Sequence, residues 1–388
     1  MPLRVPEGSR RSELLDKASE LLVHATRLEL GLPKVFRQDL RLLTAVVNTY
    51  SSNLIEGHDT QPREILRAMQ TSDLPEDAKR RELVVAARAS ATMQLLLDAE
   101  AERGALKGPL DVALLESIHL SLFKEEPALL TVAGATPYCA LPGKTRGESM
   151  DVQVGHHVPP LGRDVDRLLS SVVDYYGSFP GGPASMVLDA AAMHHRLLYL
   201  HPFSEGNGRA IRLFTHAQMQ LAGAAGGGLW SISRGLARGR TGYPDARGEY
   251  KSMLAQADKD RQGDSTDGRG ALSQLGLEGF VDWFLDVALD QVTYMATLYS
   301  FQDIASRLET LAAAEFDGKA LQQALPILRR LLDGELSRRE AWSLTGQSER
   351  TGRAVVKVLL DKDLVRSPSE RGPLRLELMR SELFPGLL

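Results

Sequence analysis

Residues 201–212 read His-Pro-Phe-Ser-Glu-Gly-Asn-Gly-Arg-Ala-Ile-Arg, and this segment decides the fold that we expect. Helix-forming residues with apolar side chains at helical spacing lie on both sides of it, over 184–200 and over 209–221. Pro202 cannot continue the first helix. The pattern therefore predicts a glycine turn that joins two helices and ends at the N-terminus of the second one.

The residue types of the turn suit an anion. Glycine and asparagine adopt left-handed backbone conformations readily, so Gly206, Asn207 and Gly208 are expected to turn backbone N–H groups toward a phosphate at the helix N-terminus. Arg209 and Arg212 lie three residues apart on one helix face, where two guanidinium groups can bind phosphate oxygens. The segment therefore predicts a phosphate site.

Two further side chains add chemistry to this site. Glu205 offers a carboxylate to Mg²⁺, which usually binds one or two carboxylates together with substrate phosphates. His201 ordinarily titrates near neutral pH and is the natural general base for an attacking hydroxyl. Each feature by itself fits a plain helix–helix turn, but their combination favours transfer of a phosphorus group to a hydroxyl.

The segment resembles the signature of Fic domains, H-P-F-x-[D/E]-G-N-G-R-x-x-R, and matches it at every fixed position. This resemblance implies an all-α fold with a helical core and a small β-hairpin flap. It also implies transfer of AMP from ATP to a Ser, Thr or Tyr hydroxyl of a target protein or of the chain itself. In that reaction His201 deprotonates the hydroxyl, Glu205 holds Mg²⁺, the glycine turn and the two arginines bind ATP, and Phe203 holds the loop in the core.

A second segment, residues 52–57, bears on regulation. It fits the pattern [S/T]-x-x-x-E-[G/N] with Ser52, Glu56 and Gly57, and resembles the inhibitory helix of regulated Fic proteins. The resemblance implies that Glu56 pairs with Arg212 and occupies the charge that should receive the γ-phosphate, with Ser52 one turn away. The alternative is a helix-terminal glutamate before a glycine C-cap.

Residues 145–158 alternate in a β-like manner around Val152, Gln153 and Val154. The resemblance implies that these three residues form the strand of a flap that binds the target segment by strand addition, with Gly147 near the turn. The alternative is an ordinary surface hairpin.

Further helices are predicted outside these segments. They lie over 36–55, 76–103, 109–123 and 163–179, with one long helix over 276–316. Residues 243–261 resemble the family helix whose aromatic residue lies near the nucleobase, which would be Tyr250 in this chain. The alternative for Tyr250 is packing in the core.

The last 69 residues form a separate predicted unit. Helical patterns over 320–333, 337–344 and 348–362 precede two short β-like segments, the order of a winged helix-turn-helix. The third helix would be the recognition helix, with Arg350, Arg353 and Lys357. Residues 320–388 contain 12 Lys or Arg and 9 Asp or Glu, so DNA is one partner that this unit could bind. Contacts with another protein are the alternative.

Length and composition bound the remaining expectations. The 388 residues are divided provisionally into a helical region with the inhibitory helix (1–105), a catalytic core (106–318) and the winged-helix-like unit (319–388). The net charge of −4 argues against a dominantly electrostatic nucleic-acid binder, and a single cysteine excludes an internal disulfide. No leader or membrane span is evident, so we expect a cytoplasmic enzyme, with oligomeric state undetermined.

Two other functions are compatible with the sequence. One is a transcriptional or toxin–antitoxin type of regulator, in which the C-terminal unit binds DNA and the Fic-like core senses nucleotide. The other is removal of AMP from a modified target by the same site, with Glu56 positioning water.

Overall fold

The chain is mostly helical in its computed structural model, which describes residues 5, 9–71, 74–132, 138–148, 150–155, 157–177, 181–240, 245–262, 271–380, 382–384 and 387. The α-helices of these residues are α1 Ser9–Leu30, α2 Lys34–Ile55, α3 Pro62–Gln70, α4 Ala78–Glu102, α5 Val112–Phe123, α6 Val165–Gly177, α7 Pro183–Leu200, α8 Asn207–Leu221, α9 Ile232–Arg238, α10 Ala246–Ala257, α11 Gln274–Leu298, α12 Phe301–Glu315, α13 Gly318–Leu331, α14 Arg338–Leu344 and α15 Glu349–Asp361. The strands are β1 Thr131–Val132, β2 Tyr138–Cys139, β3 Val365–Arg366 and β4 Arg375–Leu376.

The first of two compact units comprises Met1–Arg27 and Thr44–Thr293. Its centre is the pair α7 and α8, which pack against each other, with α4 and α5 against α8 and α6 against α7. All residues of α7 from Val187 to Leu197 are buried. A helix that is buried on every side belongs to the interior of a domain. The segment joining α7 to α8 therefore begins at the end of a helix that is packed on all sides.

The second unit comprises Leu28–Leu43 and Tyr294–Leu388. Here α13, α14 and α15 pack together, and β3 pairs with β4 in an antiparallel manner, with Val365 opposite Leu376. Serine residues begin two of these helices: Ser337 caps α14 in a capping box with Glu340, and Ser348 caps α15. The predicted order of three helices and two short strands is therefore present.

The division into units differs from the three predicted domains. Residues 9–27 and 44–105 belong to the same compact unit as most of the predicted core, and the second unit combines Leu28–Leu43 with Tyr294–Leu388. The long helix predicted over 276–316 is wrong, because α11 ends at Leu298 and Ser300 caps the start of α12 by accepting a hydrogen bond from the Asp303 N–H. No helix within the described ranges is long and apolar enough to cross a bilayer.

Candidate active site

The loop between α7 and α8 is fixed by the buried side chain of Phe203 and by hydrogen bonds from Asn207, the first residue of α8. His201 ends α7 in a left-handed conformation, with φ at 49°, and Phe203 is fully buried. The Asn207 side chain accepts a hydrogen bond from the Phe203 N–H at 2.8 Å and donates one to the Phe203 carbonyl at 2.7 Å. These contacts fix the loop backbone between the two helices.

The turn into α8 requires glycine at Gly206. Its φ is 77°, and a Cβ atom there would lie 2.5 Å from the Phe123 ring. Asn207 and Gly208 instead form the first turn of α8. Of the three residues of the predicted turn, Gly206 alone adopts a left-handed backbone conformation, because the helix begins one residue after it.

A carboxylate lies at the N-terminus of α8. A Cβ atom on Gly208 would lie 2.1 Å from Glu56 Oε1, so the Glu56 carboxylate lies directly above this glycine. Arg212 Nη2 donates a hydrogen bond to the same oxygen at 2.6 Å. A helix N-terminus and a guanidinium group both attract anions. The predicted phosphate site is thus filled by a carboxylate of the chain itself.

Ser52 holds the same arginine. The Nε of Arg212 donates to Ser52 Oγ at 2.9 Å, and its Nη2 donates to the Ser52 carbonyl at 3.0 Å. Arg212 is buried, with 2% of its side chain exposed. Gly57 follows α2 in a left-handed conformation, with φ at 84°. The structure therefore brings Ser52, Glu56 and Arg212 together across 160 residues of sequence.

The charges around Glu56 keep it ionised. Burial by itself raises the pKa of the Glu56 carboxyl, but the charge and hydrogen bond of Arg212, together with the charge of Arg209, outweigh burial and lower it. Arg209 is also buried, and its guanidinium lies 4.7 Å from the centre of the Phe123 ring. Within the described residues, its Nε has no hydrogen-bond partner, so a phosphate oxygen could still bind there.

His201 is neutral at physiological pH in this environment. Burial lowers the pKa of its imidazole to about 4, with further contributions from the charges of Arg146 and His157. A neutral imidazole has a free lone pair, which a general base needs.

Glu205 is the residue that fits a Mg²⁺ ligand. It is exposed near the end of the loop, and its Oε1 accepts a hydrogen bond from the Gly206 N–H at 3.0 Å. The part of the chain that the structure describes contains no group of three or more His, Cys, Asp or Glu residues able to hold a metal ion. Mg²⁺ bound by one carboxylate and substrate phosphates needs no such group.

His119 is a site residue that the sequence analysis missed. Its Nδ1 accepts a hydrogen bond from the Gly143 N–H at 2.8 Å, so its Nε2 carries the proton and donates to the Glu205 carbonyl at 3.0 Å. The ring stacks on Phe203 with a centroid distance of 3.9 Å. Burial lowers its pKa to about 4, so this neutral histidine can hold the loop without adding charge.

Arg146 is a second missed residue, and it is almost fully buried. Its guanidinium donates to four backbone carbonyls: His201 at 2.7 Å, Leu200 at 3.1 Å, Met150 at 3.3 Å, and Pro160. Two of these carbonyls lie at the end of α7. The other two, those of Met150 and Pro160, lie on either side of residues 152–154 of the predicted flap. A single side chain therefore joins the flap to the residue that we expect to act as the base.

We expect Arg146→Met to lower the free energy of unfolding by about 2–4 kcal/mol, because buried carbonyl groups would lose a charged donor. The free energy of unfolding of Arg146→Lys should lie between those of Arg146→Met and the wild type, because one ammonium group cannot replace the planar fork of donors of a guanidinium group. Urea denaturation measures both. The control is Arg163→Met, whose side chain is 66% exposed; an equal loss of stability in this control would contradict the role of Arg146.

Tyr250 lies in the core rather than at an open nucleotide site. It is 3% exposed, its hydroxyl is 2.8 Å from His194 Nε2, and its ring stacks on Trp283. Burial raises the pKa of this phenol. The geometry favours the alternative of core packing, and residues 241–244, just before α10, lie outside the described residues.

The flap contains a tight turn. Val154 and His157 exchange two backbone hydrogen bonds, of 2.9 and 3.0 Å, around Gly155, whose φ is 60°. The predicted turn near Gly147 is also present, because the Met150 N–H donates a hydrogen bond to the Gly147 carbonyl at 2.9 Å. Within the described residues, the backbone groups of Val152 and Gln153 make no hydrogen bond with the rest of the chain.

Comparison with known proteins identifies a family profile whose match includes the loop between α7 and α8. The profile described as "Fic/DOC family" matches residues 109–219. The chain is 36% identical over 78 residues to "Protein adenylyltransferase Fic" of Nematostella vectensis, which is 20% of this chain and 18% of that protein. It is 38% identical over 72 residues to the protein of the same name from Drosophila willistoni, which is 19% of this chain and 14% of the relative. The chain thus matches less than a fifth of either relative.

Solved structures share the fold. A Fic family protein from Desulfovibrio desulfuricans superposes with a TM-score of 0.51 at 16% identity, covering 97% of this chain and 98% of that one. A Fic domain containing signaling protein from Bacteroides thetaiotaomicron gives a TM-score of 0.50 at 16% identity, covering 74% and 97%. At this identity the likeness concerns the fold alone. Taken with the profile match, it shows that residues 109–219 are a domain of the Fic/DOC family and that the chain is homologous, over a stretch of 78 residues, to protein adenylyltransferase Fic.

Proposed function

We propose that the chain is a protein adenylyltransferase that transfers AMP from ATP to a hydroxyl of a target protein or of itself, and that Glu56 inhibits it. The observation that carries this proposal is the anion site between Gly208 and Arg212 on α8, which holds the Glu56 carboxylate. The loop that begins with His201 leads directly into this helix. The names of the relatives support adenylyl transfer as the reaction.

The reaction is an in-line displacement at the α-phosphate of ATP. His201 accepts the proton of the target hydroxyl, the hydroxyl oxygen forms a bond to the α-phosphorus, and the bond from that phosphorus to the pyrophosphate oxygen breaks. Arg209, Arg212 and the N-terminus of α8 stabilise the negative charge on the leaving pyrophosphate. Mg²⁺ held by Glu205 and the phosphates would neutralise part of that charge.

The flap supports a protein rather than a small-molecule acceptor. Val152 and Gln153 expose backbone groups that an extended target segment could pair with, and main-chain pairing tolerates many sequences. Val154 adds an exposed apolar side chain beside them. These features suit a segment of another protein or a loop of the same chain.

Intact-mass spectrometry after incubation with ATP and Mg²⁺ tests the proposed reaction. We expect Glu56→Gly protein, or a lysate protein incubated with it, to gain the mass of one adenylyl group, and the double variant with His201→Ala to gain none. A gain of a phosphoryl group, or no added mass in any protein of the lysate, would show that the reaction is not adenylyl transfer.

A second candidate function is DNA binding by the second unit. Arg350, Arg353 and Lys357 are exposed on α15, as expected for a recognition helix. Arg353 also pairs with Glu349 and stacks over the Trp342 ring at 4.7 Å, so part of its charge is already engaged.

If α15 binds DNA, replacing Arg350, Arg353 and Lys357 with alanine should weaken binding at least about tenfold and reduce the slope of log affinity against log salt by about two to three. Gel retardation of genomic fragments at several salt concentrations measures both quantities. The control removes equal charge at the exposed residues Lys319, Arg329 and Arg339. Equal weakening by both sets would show that α15 has no special part in DNA binding.

A further inference from the structure

A carboxylate between two imidazoles lies beside the proposed active site. Asp258 ends α10, with Oδ1 3.0 Å from His195 Nε2 and Oδ2 3.5 Å from His157 Nδ1. The dipole of a helix disfavours negative charge at its C-terminus. The two histidines therefore offset an electrostatic cost that a neutral residue at this position would not have.

His157 connects this carboxylate to the flap. Its Nε2 lies 2.9 Å from the Tyr199 carbonyl, and its ring centroid lies 4.9 Å from that of Tyr199. Its backbone exchanges both hydrogen bonds with Val154. The side chain thus contacts α7 and the end of α10, while the backbone forms half of the turn that carries the exposed residues 152–154.

We propose that His157 and Asp258 are positioning residues that fix the flap against α7 and α10, so that residues 152–154 meet the target segment as a preordered edge. This inference rests on the proposed function for its consequence, since a flap that is ordered in advance costs less entropy when a target pairs with it. The contact itself is a property of the fold and can be tested without any activity.

The protonation of His157 decides whether the contact holds. A carbonyl oxygen only accepts hydrogen bonds, so Nε2 carries a proton and donates it to Tyr199. Asp258 also only accepts, so Nδ1 is attracted to it only when the ring is an imidazolium. An imidazolium at His157 therefore satisfies the Tyr199 carbonyl and the Asp258 carboxylate at once, with one N–H for each.

The other charged and titratable groups of this neighbourhood are His195, Arg196 and Tyr199 on α7, Asp258 and Asp260 after α10, and His201. The Nδ1 of His195 accepts from Arg196 at 3.0 Å, and burial lowers the pKa of His195, so it stays neutral and its Nε2–H faces Asp258 throughout.

Hydrogen exchange of the full-length protein at a single pH tests the proposal. In Asp258→Ala, the protection of the Val154 and His157 amides should be about threefold to fivefold lower than in the wild type, the range expected for the loss of a partly exposed ion pair. Asp258→Asn keeps the size of the side chain and can still form a hydrogen bond with the His157 ring, so its protection should lie between those of Asp258→Ala and the wild type.

Asp260→Asn is the matched control, because it removes an exposed carboxylate two residues away and should retain the wild-type protection. The proposal is overturned if Asp258→Ala keeps the wild-type protection, or if Asp258→Ala and Asp260→Asn lose protection equally. Self-labelling from ATP is measured on the same samples: a flap that behaves as expected in protein that never becomes labelled counts against the proposed function and leaves the contact supported.

Discussion

The variant His201→Ala, made in the Glu56→Gly background, is expected to transfer AMP about 10²- to 10⁴-fold more slowly, which is the usual contribution of a positioned general base. The target hydroxyl would then have to lose its proton to water. Nucleotide binding should be unchanged, because the anion site at α8 is built from other residues. The initial rate of labelling from α-labelled ATP, and calorimetric binding of a non-hydrolysable ATP analogue, measure the two effects separately.

The pH dependence of the Glu56→Gly protein checks the same role. Burial lowers the pKa of His201 to about 4, so the imidazole is neutral from about pH 5 upward. The labelling rate should therefore be constant between about pH 5 and pH 8 and should fall only below about pH 5. His58→Ala is the control, because burial also lowers the pKa of that half-buried imidazole beside Glu56 and Arg209. If His201→Ala kept more than a tenth of the rate, a different group would be the base.

The helices around the site were predictable from local sequence. Proline at 202 ends one helix, a glycine at 206 permits the turn, and apolar residues at helical spacing mark both α7 and α8. The same reasoning predicted the turn at Gly147, where the Met150 N–H donates to the Gly147 carbonyl, but not the second turn of the flap at Gly155. Local propensity thus predicted which helices and turns form more accurately than it predicted the residues at which they begin and end.

The missed residues have partners far away in the sequence. His119 reaches Glu205 across 86 residues, and Arg146 reaches the His201 carbonyl across 55. Both bind backbone groups, which every residue carries, so no pairing of side-chain types in the sequence points to them. Only the folded chain shows that these two side chains hold the loop from two sides.

Helix α2 illustrates a related difficulty with domain boundaries. Its residues up to Leu43 belong to the second compact unit and those from Thr44 to the first, within one uninterrupted helical pattern. No proline, glycine or polar run marks the change. A boundary that falls inside a regular helix leaves no signal in composition or periodicity, and the predicted limits at 105 and 318 followed breaker residues instead.

The role of Gly208 was predicted only in part. Its place at an anion site follows from the glycine turn, but the reason for having no Cβ is the Glu56 carboxylate above it. A Cβ atom at position 208 would displace that carboxylate and, under the proposed function, would also crowd a phosphate bound in its place.

The variant Glu56→Gly is expected to label itself or a target about 10- to 100-fold faster than the wild type. In the wild type, ATP must displace a carboxylate held by a charged hydrogen bond from Arg212, and such bonds contribute about 1.5–3 kcal/mol. Arg212 would then be free to bind the γ-phosphate. Labelling rates over a range of ATP concentrations, together with the rise in melting temperature that ATP and Mg²⁺ produce, measure the change in rate and in nucleotide affinity.

Two further variants separate inhibition by charge from a general loosening of the site. Glu56→Gln keeps the size but removes the charge, so it should give a smaller rise than Glu56→Gly. Ser52→Ala removes one acceptor of Arg212 but leaves the Ser52 carbonyl and the Glu56 carboxylate in place, so its rate should stay within about threefold of the wild type, the effect of a single neutral hydrogen bond. If Ser52→Ala were as active as Glu56→Gly, mobility of Arg212 rather than occupation of the anion site would explain the inhibition. If none of the three exceeded the wild type at any ATP concentration, Glu56 would have no inhibitory role.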